Sequence, residues 1–110
     1  MKRLAKRYAN TRFKECEYES VLYLHGTPIV THHHESGLIQ LNTGGWYTAT
    51  TKKRMNEALQ LLGADFTIHQ RNLEWFTWNW KIQEEREFID HAMYRADGQS
   101  RIRQEASCTT

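Results

Sequence analysis

The sequence predicts an α+β fold in which a small antiparallel sheet carries one packed central helix. Short alternating segments before residue 42 indicate strands, and the apolar stripe that begins at Met55 indicates a helix. An aromatic segment that ends at Trp80 indicates a hairpin. A chain of 110 residues is long enough for one domain of this kind.

The predicted sheet begins with a meander of three short strands. Side chains alternate between two faces in the first of them, the other two are short and begin with two apolar residues, and glycine, proline and serine separate them. The predicted segments are Glu17–His25, Ile29–His32 and Leu38–Leu41. A shorter strand-like segment, Trp46–Thr48, follows Gly44 and Gly45.

The central helix is predicted over Thr51–Leu62. Its apolar residues recur at intervals of three and four, which places them on one face; they are Met55, Ala58, Leu59 and Leu62. Gly63 follows directly and is expected to end the helix, because glycine enters the left-handed conformation freely.

An aromatic hairpin and a second helix are predicted after the central helix. Asp65–Gln70 and Leu73–Trp80 alternate as two strands. We expect Phe76, Trp78 and Trp80 to face the core and Trp75 to be the surface ring. A helical stripe of apolar residues then predicts a C-terminal helix over Gln83–Arg95.

Charge divides the chain into three predicted parts. Residues 1–14 carry six basic and no acidic side chains, a net charge of +6, while the other 96 residues sum to −4. Such a block is typical of a solvated arm that contacts nucleic acid or an acidic partner. An organellar presequence is the less favoured interpretation, because this segment has no serine. We therefore predict a basic arm (1–14), one α+β domain (15–97) and a disordered tail (98–110).

Several classes of protein are disfavoured by composition. No apolar run is long enough to span a membrane, and the first residues lack the apolar segment of a secretory signal. Two distant cysteines do not suggest a disulfide framework. These absences favour the cytoplasm. No nucleophile motif is evident either, so we expect a protein without enzymatic activity and without a cofactor.

The start of the central helix carries the main predicted site. Lys52, Lys53 and Arg54 stand in the predicted first turn, where the helix dipole favours acidic residues. Thr50 or Thr51 is expected to cap one of the free N–H groups at the helix start, and the remaining N–H groups, hydroxyls and cations together form a phosphate-compatible site. The predicted contact residues here are Gly44, Gly45, Thr50, Thr51, Lys52, Lys53 and Arg54. The alternative is that the glycines make a turn, Trp46 fills the core, a threonine caps the helix and the lysines are solvated.

Two further features of the sequence are candidate sites. Trp75 and Tyr47 are the candidate rings for stacking on bases, although most aromatic residues in so small a domain serve packing. The tract His32–His34 could place two imidazoles on one side of a strand. No further ligand is evident in the sequence, so an exposed turn is favoured over a metal site.

The stretch that includes LNTGGWYTATTKKRMN, together with HGTPIV before it, resembles a family of small tailed-bacteriophage proteins. They share a G-W-x-T-x-T-T-K-x-R-x-N core, and the resemblance covers Tyr18–Trp80. It implies a viral or prophage origin and the cytoplasm of a host bacterium.

These observations predict a small phage-encoded protein that contacts nucleic-acid phosphates with little sequence specificity. The helix start would act together with the arm residues Lys2, Arg3, Lys6 and Arg7. Two alternatives stay open: a protein that binds and inhibits a host protein, and one that binds a small phosphorylated nucleotide. A homodimer formed through a sheet edge is also compatible with the sequence.

Overall fold

The computed structural model describes residues 10–101, which form nine strands and one α-helix. All strand pairs are antiparallel and belong to two sheets, with strand orders β1-β2-β3-β4-β8-β9 and β5-β6-β7. The predicted α+β class and antiparallel sheet are confirmed. The elements are β1 (Thr11–Glu15), β2 (Glu19–Leu24), β3 (Thr27–His33), β4 (Ile39–Leu41), α1 (Ala49–Leu61), β5 (Phe66–Arg71), β6 (Glu74–Asn79), β7 (Glu84–Glu87), β8 (Met93–Tyr94) and β9 (Ser100–Arg101).

The predicted meander is present as β2, β3 and β4. The turn between β2 and β3 is made by His25 and Gly26, whose φ angles are 52° and 81°. β1 pairs with the free side of β2, and the two-residue strand β8 pairs with β4. A strand of two residues has no recognisable alternation, so the sequence does not predict it.

The central helix begins two residues earlier than predicted and keeps the predicted apolar face. Met55, Ala58 and Leu59 are all buried, and Leu62 packs against the core from just beyond the helix. Gly63 has a φ of 75°, so it ends the helix as expected. The helix contacts β3 of the first sheet and β5 of the second, which places the core between them.

The aromatic hairpin is confirmed as β5 and β6. Asn72 and Leu73 form its two-residue turn with φ angles of 53° and 69°, and positive φ at both positions is required by a type I′ turn. The outer edge of β5 faces α1, where the side chain of Asn56 bonds the main chain of Ile68.

The predicted C-terminal helix is wrong. Its residues form β7, which pairs with β6, and then a loop that leads to β8. Gln83 and His91 have φ angles of 56° and 68°, which an α-helix does not accommodate. The apolar residues instead divide: Phe88, Ala92 and Tyr94 enter the core, while Ile82 is exposed. The core residues of this region therefore come from the loop, which holds Phe88 and Ala92, and from β8, which holds Tyr94, and not from one helix face.

Pairs of strands extend across both predicted domain boundaries. β1 crosses the predicted end of the arm at residue 14, and β9 pairs with β8 beyond the predicted domain end at residue 97. Residues 1–9 and 102–110, which include most of the predicted arm and tail, lie outside the described residues. Within residues 10–101, α1 does not have the length or the apolar character needed to span a membrane.

Candidate nucleic-acid interface

A glycine-containing loop leads into α1 and replaces the strand predicted at Trp46–Thr48. Gly44 and Gly45 both have positive φ, at 65° and 88°. A Cβ on Gly44 would lie 2.7 Å from Cγ2 of Thr27, so the loop passes too close to β3 for any larger residue. The glycines therefore serve loop geometry here. Trp46 is 61% exposed and does not fill the core.

Asp90 holds this loop against the last part of the chain. Its carboxylate accepts hydrogen bonds from the main-chain N–H of Thr43 at 2.8 Å and from the Thr43 hydroxyl at 2.7 Å. The hydroxyl of Tyr47 lies 3.4 Å from the same carboxylate. Burial, and then the negative charge of Asp90, raise the pKa of Tyr47.

The helix start differs from the prediction in a way that changes its electrostatics. Thr48, not Thr50 or Thr51, is the N-cap, and its hydroxyl accepts from the N–H of Thr51 at 3.2 Å. Lys52 therefore lies at the fourth helical position and Lys53 at the fifth. The dipole effect is confined to the first turn, so these cations oppose it less than predicted.

The predicted phosphate ligands separate into buried and accessible groups. Thr51 is 1% exposed and Arg54 is 8% exposed, and the Arg54 guanidinium lies 3.5 Å from the Glu57 carboxylate. Lys53 and Thr50 are exposed, while Lys52 is half-buried with its ammonium 3.3 Å from the amide oxygen of Gln70. Only the second group can reach an external anion without rearrangement.

The two faces of β6 are reversed relative to the prediction. Trp75 is 5% exposed and packs in a T-shaped contact with Tyr47, with 5.1 Å between the ring centroids. The expectation that Trp75 is a surface ring is wrong. Phe76 and Trp78 lie on the outer face and are half-buried, and Trp80, just beyond β6, is 53% exposed. Tyr47 is exposed, as predicted.

Polar residues explain why the less aromatic face turns inward. Asn79 accepts hydrogen bonds from the N–H groups of Lys81 and Ile82, and its amide nitrogen donates to the carbonyl of Asp97. Thr77 donates to the carbonyl of Arg86. These inward polar side chains supply hydrogen-bond partners to main-chain groups around the core. Alternation alone identifies two faces and cannot say which one is inside.

A groove between α1 and β5 joins the accessible lysines to an exposed ring. It has a volume of about 950 Å³ and is lined on the helix side by Lys52, Lys53 and Gln60. Thr67 on β5 forms part of its floor, and Trp80 forms part of the opposite side. Two ammonium groups and an indole thus border one open site, which we call the α1–β5 groove.

A protein-family model described as Kyanoviridae Gp96 protein matches residues 2–97. The chain belongs to this phage protein family. The match extends on both sides of the predicted resemblance, which covered Tyr18–Trp80, and a phage origin is confirmed. No curated protein and no solved structure matches the chain.

Four of the predicted contact residues of this Gp96 family member belong to the basic arm. Lys2, Arg3, Lys6 and Arg7 lie outside the described residues. Within residues 10–101 there are ten lysines and arginines and twelve acidic residues, a net charge of −2. The described domain therefore has no net positive charge, and the basic residues that line the groove are Lys52 and Lys53.

The histidine tract is less exposed than predicted. His32 and His33 end β3 and His34 begins the turn, and all three are half-buried. The imidazole of His34 lies 2.7 Å from the hydroxyl of Ser20 and 3.0 Å from the carbonyl of Glu17. Among residues 10–101, no group of three or more His, Cys, Asp or Glu residues is arranged to hold a metal ion.

The sequence interpretation missed Trp80 and Trp78 as accessible rings. The alternation in EWFTWNW identified them as one face of a strand, but it assigned that face to the core. Asn79 is the residue that could have indicated the opposite assignment, because it is the last residue of β6 and precedes a turn, where asparagine often bonds the main chain.

Proposed function

We propose that this phage protein binds nucleic acid in the α1–β5 groove, in the cytoplasm of the infected cell and without catalysing a reaction. Lys52 and Lys53 would contact phosphates, and Trp80 would stack on a base. The observation that carries the proposal is that these three side chains border the same open groove. Proteins that bind single-stranded nucleic acid combine cationic groups along the phosphate backbone with aromatic rings on which the bases stack.

Low sequence specificity follows from the other residues of the groove. Asn56 borders the groove, but both ends of its amide are used by the main chain of Ile68. Gln60 and Thr67 are left as neutral polar groups that could meet a base edge. Base-specific recognition depends on several directed hydrogen bonds, whereas stacking accepts any base.

The groove is also bordered by acidic side chains that would orient a bound nucleic-acid strand. Glu57 and Asp65 border it along with the lysines, and the ammonium of Lys81 lies 3.9 Å from Asp65. A phosphate is attracted toward Lys52 and Lys53 and repelled by Glu57. The net charge of −2 over residues 10–101 limits long-range attraction. We therefore expect weak binding that depends strongly on salt.

A host protein is the second candidate partner, and one observation favours it. The described domain is slightly acidic while it exposes large apolar side chains, among them Trp46, which is 61% exposed. Exposed aromatic residues are common at protein interfaces. Such an interface is less sensitive to salt than phosphate contacts, which separates the two candidates experimentally.

The test is binding of a fluorescent single-stranded oligonucleotide at low salt, measured by anisotropy. Lys52→Glu/Lys53→Glu should reduce affinity by at least tenfold, because it replaces two attractive charges by repulsive ones. The matched control is Arg86→Glu/Arg95→Glu, which changes net charge equally at two exposed positions that neither line the groove nor belong to the basic arm. Equal losses in the two double variants would contradict a site in the groove.

A further inference from the structure

The outer face of β6 continues the floor of the α1–β5 groove. Thr67 on β5 lines the groove, and its Cα partner on β6 is Trp78, whose ring is half-buried. Directly opposite residues of an antiparallel pair project from the same face of the sheet. Trp78 therefore lies next to the groove, although it is not one of the residues that line it.

Trp78 and Trp80 are spaced for two separated bases. The N–H of Trp80 donates to the carbonyl of Asp65 at 3.2 Å, so the pairing of β6 with β5 continues one residue beyond Asn79. Residues i and i+2 of a strand lie about 6.8 Å apart on one face. This spacing is about twice the roughly 3.4 Å rise per nucleotide of a duplex strand. Neighbouring bases can stack on both rings only when they are unstacked from each other, which a single strand allows and a duplex does not.

The lysines and Trp80 lie toward opposite ends of β5. The Lys52 ammonium lies 3.3 Å from the amide oxygen of Gln70, near one end of the strand, while Asp65, the partner of Trp80, precedes the other end. The separation of Asp65 and Gln70 along the strand is about 17 Å. That is roughly five times the rise per nucleotide of a duplex strand, so a ligand that reaches both ends is longer than one nucleotide. Trp78 lies between the two ends.

The side of this face toward β7 disfavours phosphates. Phe76, the next residue of β6 on the face, is covered by the guanidinium of Arg71, which lies 4.6 Å from the ring centroid. The same guanidinium donates to the carboxylate of Glu85 at 2.8 Å, and Glu85 is the Cα partner of Trp78 on β7. Carboxylates thus flank Trp78 on one side and the α1 lysines on the other. A bound strand would keep its phosphates along α1 and place its bases toward β6.

We propose that the ligand of the groove is a single-stranded oligonucleotide and that Trp78 is a second stacking position, which takes the base next to the one on Trp80. The inference rests on the proposed nucleic-acid binding, and it adds a further contact residue and the requirement for an unpaired strand. Since stacking accepts any base, the second position adds affinity without sequence preference.

Anisotropy with fluorescent oligothymidylate, as a single strand and as its duplex with oligoadenylate, tests the inference. Trp78→Thr should weaken single-strand binding by about fivefold or more, the effect of losing one base–ring contact. Threonine suits an outward strand position, and Trp78→Phe keeps a ring and should retain most of the affinity. The matched control is Trp46→Ala, which removes an exposed indole that does not line the groove and should leave affinity unchanged. The duplex should bind more weakly and should not respond to Trp78→Thr.

Photo-crosslinking of the wild-type protein gives a second measurement that needs no substitution. The protein is irradiated with oligothymidylate that carries 5-iodouracil, and tandem mass spectrometry of the tryptic fragment 72–81 locates the adducts. We expect adducts on both Trp78 and Trp80.

Two results would overturn the inference. One is wild-type single-strand affinity of Trp78→Thr together with adducts on Trp80 alone. The other is equal affinity of the wild-type protein for the single strand and the duplex. If Lys52→Glu/Lys53→Glu still lost affinity in these cases, only the inference would fail. Wild-type affinity of that lysine variant would contradict the proposed function itself.

Discussion

Asn56 on α1 takes the place of a strand partner for Ile68 on β5. Its amide oxygen accepts from the main-chain N–H of Ile68 at 2.7 Å, and its amide nitrogen donates to the carbonyl of Ile68 at 2.9 Å. The pair fixes α1 against the edge of the second sheet, and Lys52 precedes it by one turn on the same helix. The width of the α1–β5 groove therefore depends on this contact.

Asn56→Ala should reduce the free energy of unfolding by about 1–3 kcal/mol, because two main-chain groups lose their partners at a partly buried position. Chemical denaturation measures this loss. Gln60→Ala is the control, since Gln60 is an exposed residue one turn later whose replacement should change stability by less than about 0.5 kcal/mol. Equal stabilities of the two variants would contradict the role assigned to Asn56.

The reversed faces of β6 predict opposite costs for two tryptophans. Trp75→Ala should destabilise the fold by about 3–5 kcal/mol, because it empties a site between Tyr47 and Phe88. Trp80→Ala should cost about 1 kcal/mol or less, since its ring is 53% exposed. Thermal and urea unfolding compare the two variants. A larger loss of unfolding free energy for Trp80→Ala than for Trp75→Ala would contradict the structure and support the face assignment predicted from the sequence.

Gly44 and Gly45 offer a test of the close approach between the loop and β3. Both have positive φ, so alanine should cost about 1–2 kcal/mol at either position. Gly44→Ala should cost more, because its Cβ would meet Cγ2 of Thr27 at 2.7 Å, whereas a Cβ on Gly45 meets open space. Thr27→Ser removes that methyl group and should recover part of the difference. Additive effects of Gly44→Ala and Thr27→Ser would argue against the contact.

Because Tyr94 is buried, we expect the folded protein to lose stability at high pH. Its burial raises the pKa of its hydroxyl to about 12, above the value of about 10 expected in the unfolded chain. The folded state therefore retains a proton that the unfolded state loses between these values. Stability should fall in this window by as much as about 1.4 kcal/mol per pH unit. Tyr94→Phe should remove this contribution, and denaturation curves from pH 9 to pH 12 measure it.

Local structure could be predicted from the sequence where one residue pattern fits a single element. The face of α1 and the glycine that ends it were found because Met55, Ala58, Leu59 and Gly63 match helical spacing and helix termination. The N-cap was misplaced because the stretch TATT contains three threonines, each of which is suited to capping. Only the fold decides among them, through the position of the loop that Asp90 holds.

The candidate site was predicted in part. Lys52 and Lys53 are accessible, but Arg54 is buried beside Glu57, because it lies four residues before Ala58 on the buried side of the helix. The prediction of a C-terminal helix was wrong because β7 and β8 are short strands that depend on pairing with β6 and β4. Such strand pairs join residues that are far apart in sequence, so a local residue pattern does not predict them.

The salt dependence of oligonucleotide binding tests the central claim most directly. For a single strand, the slope of log K against log salt is about −0.7 for each phosphate neutralised. Lys52→Ala/Lys53→Ala should therefore make the slope of the wild-type protein less negative by about 1.4, while Trp80→Ala should weaken binding and leave the slope unchanged. Anisotropy titrations at salt concentrations from about 20 to about 200 mM give these slopes. A slope that is the same in the wild type and in the lysine variant would contradict phosphate binding in the groove.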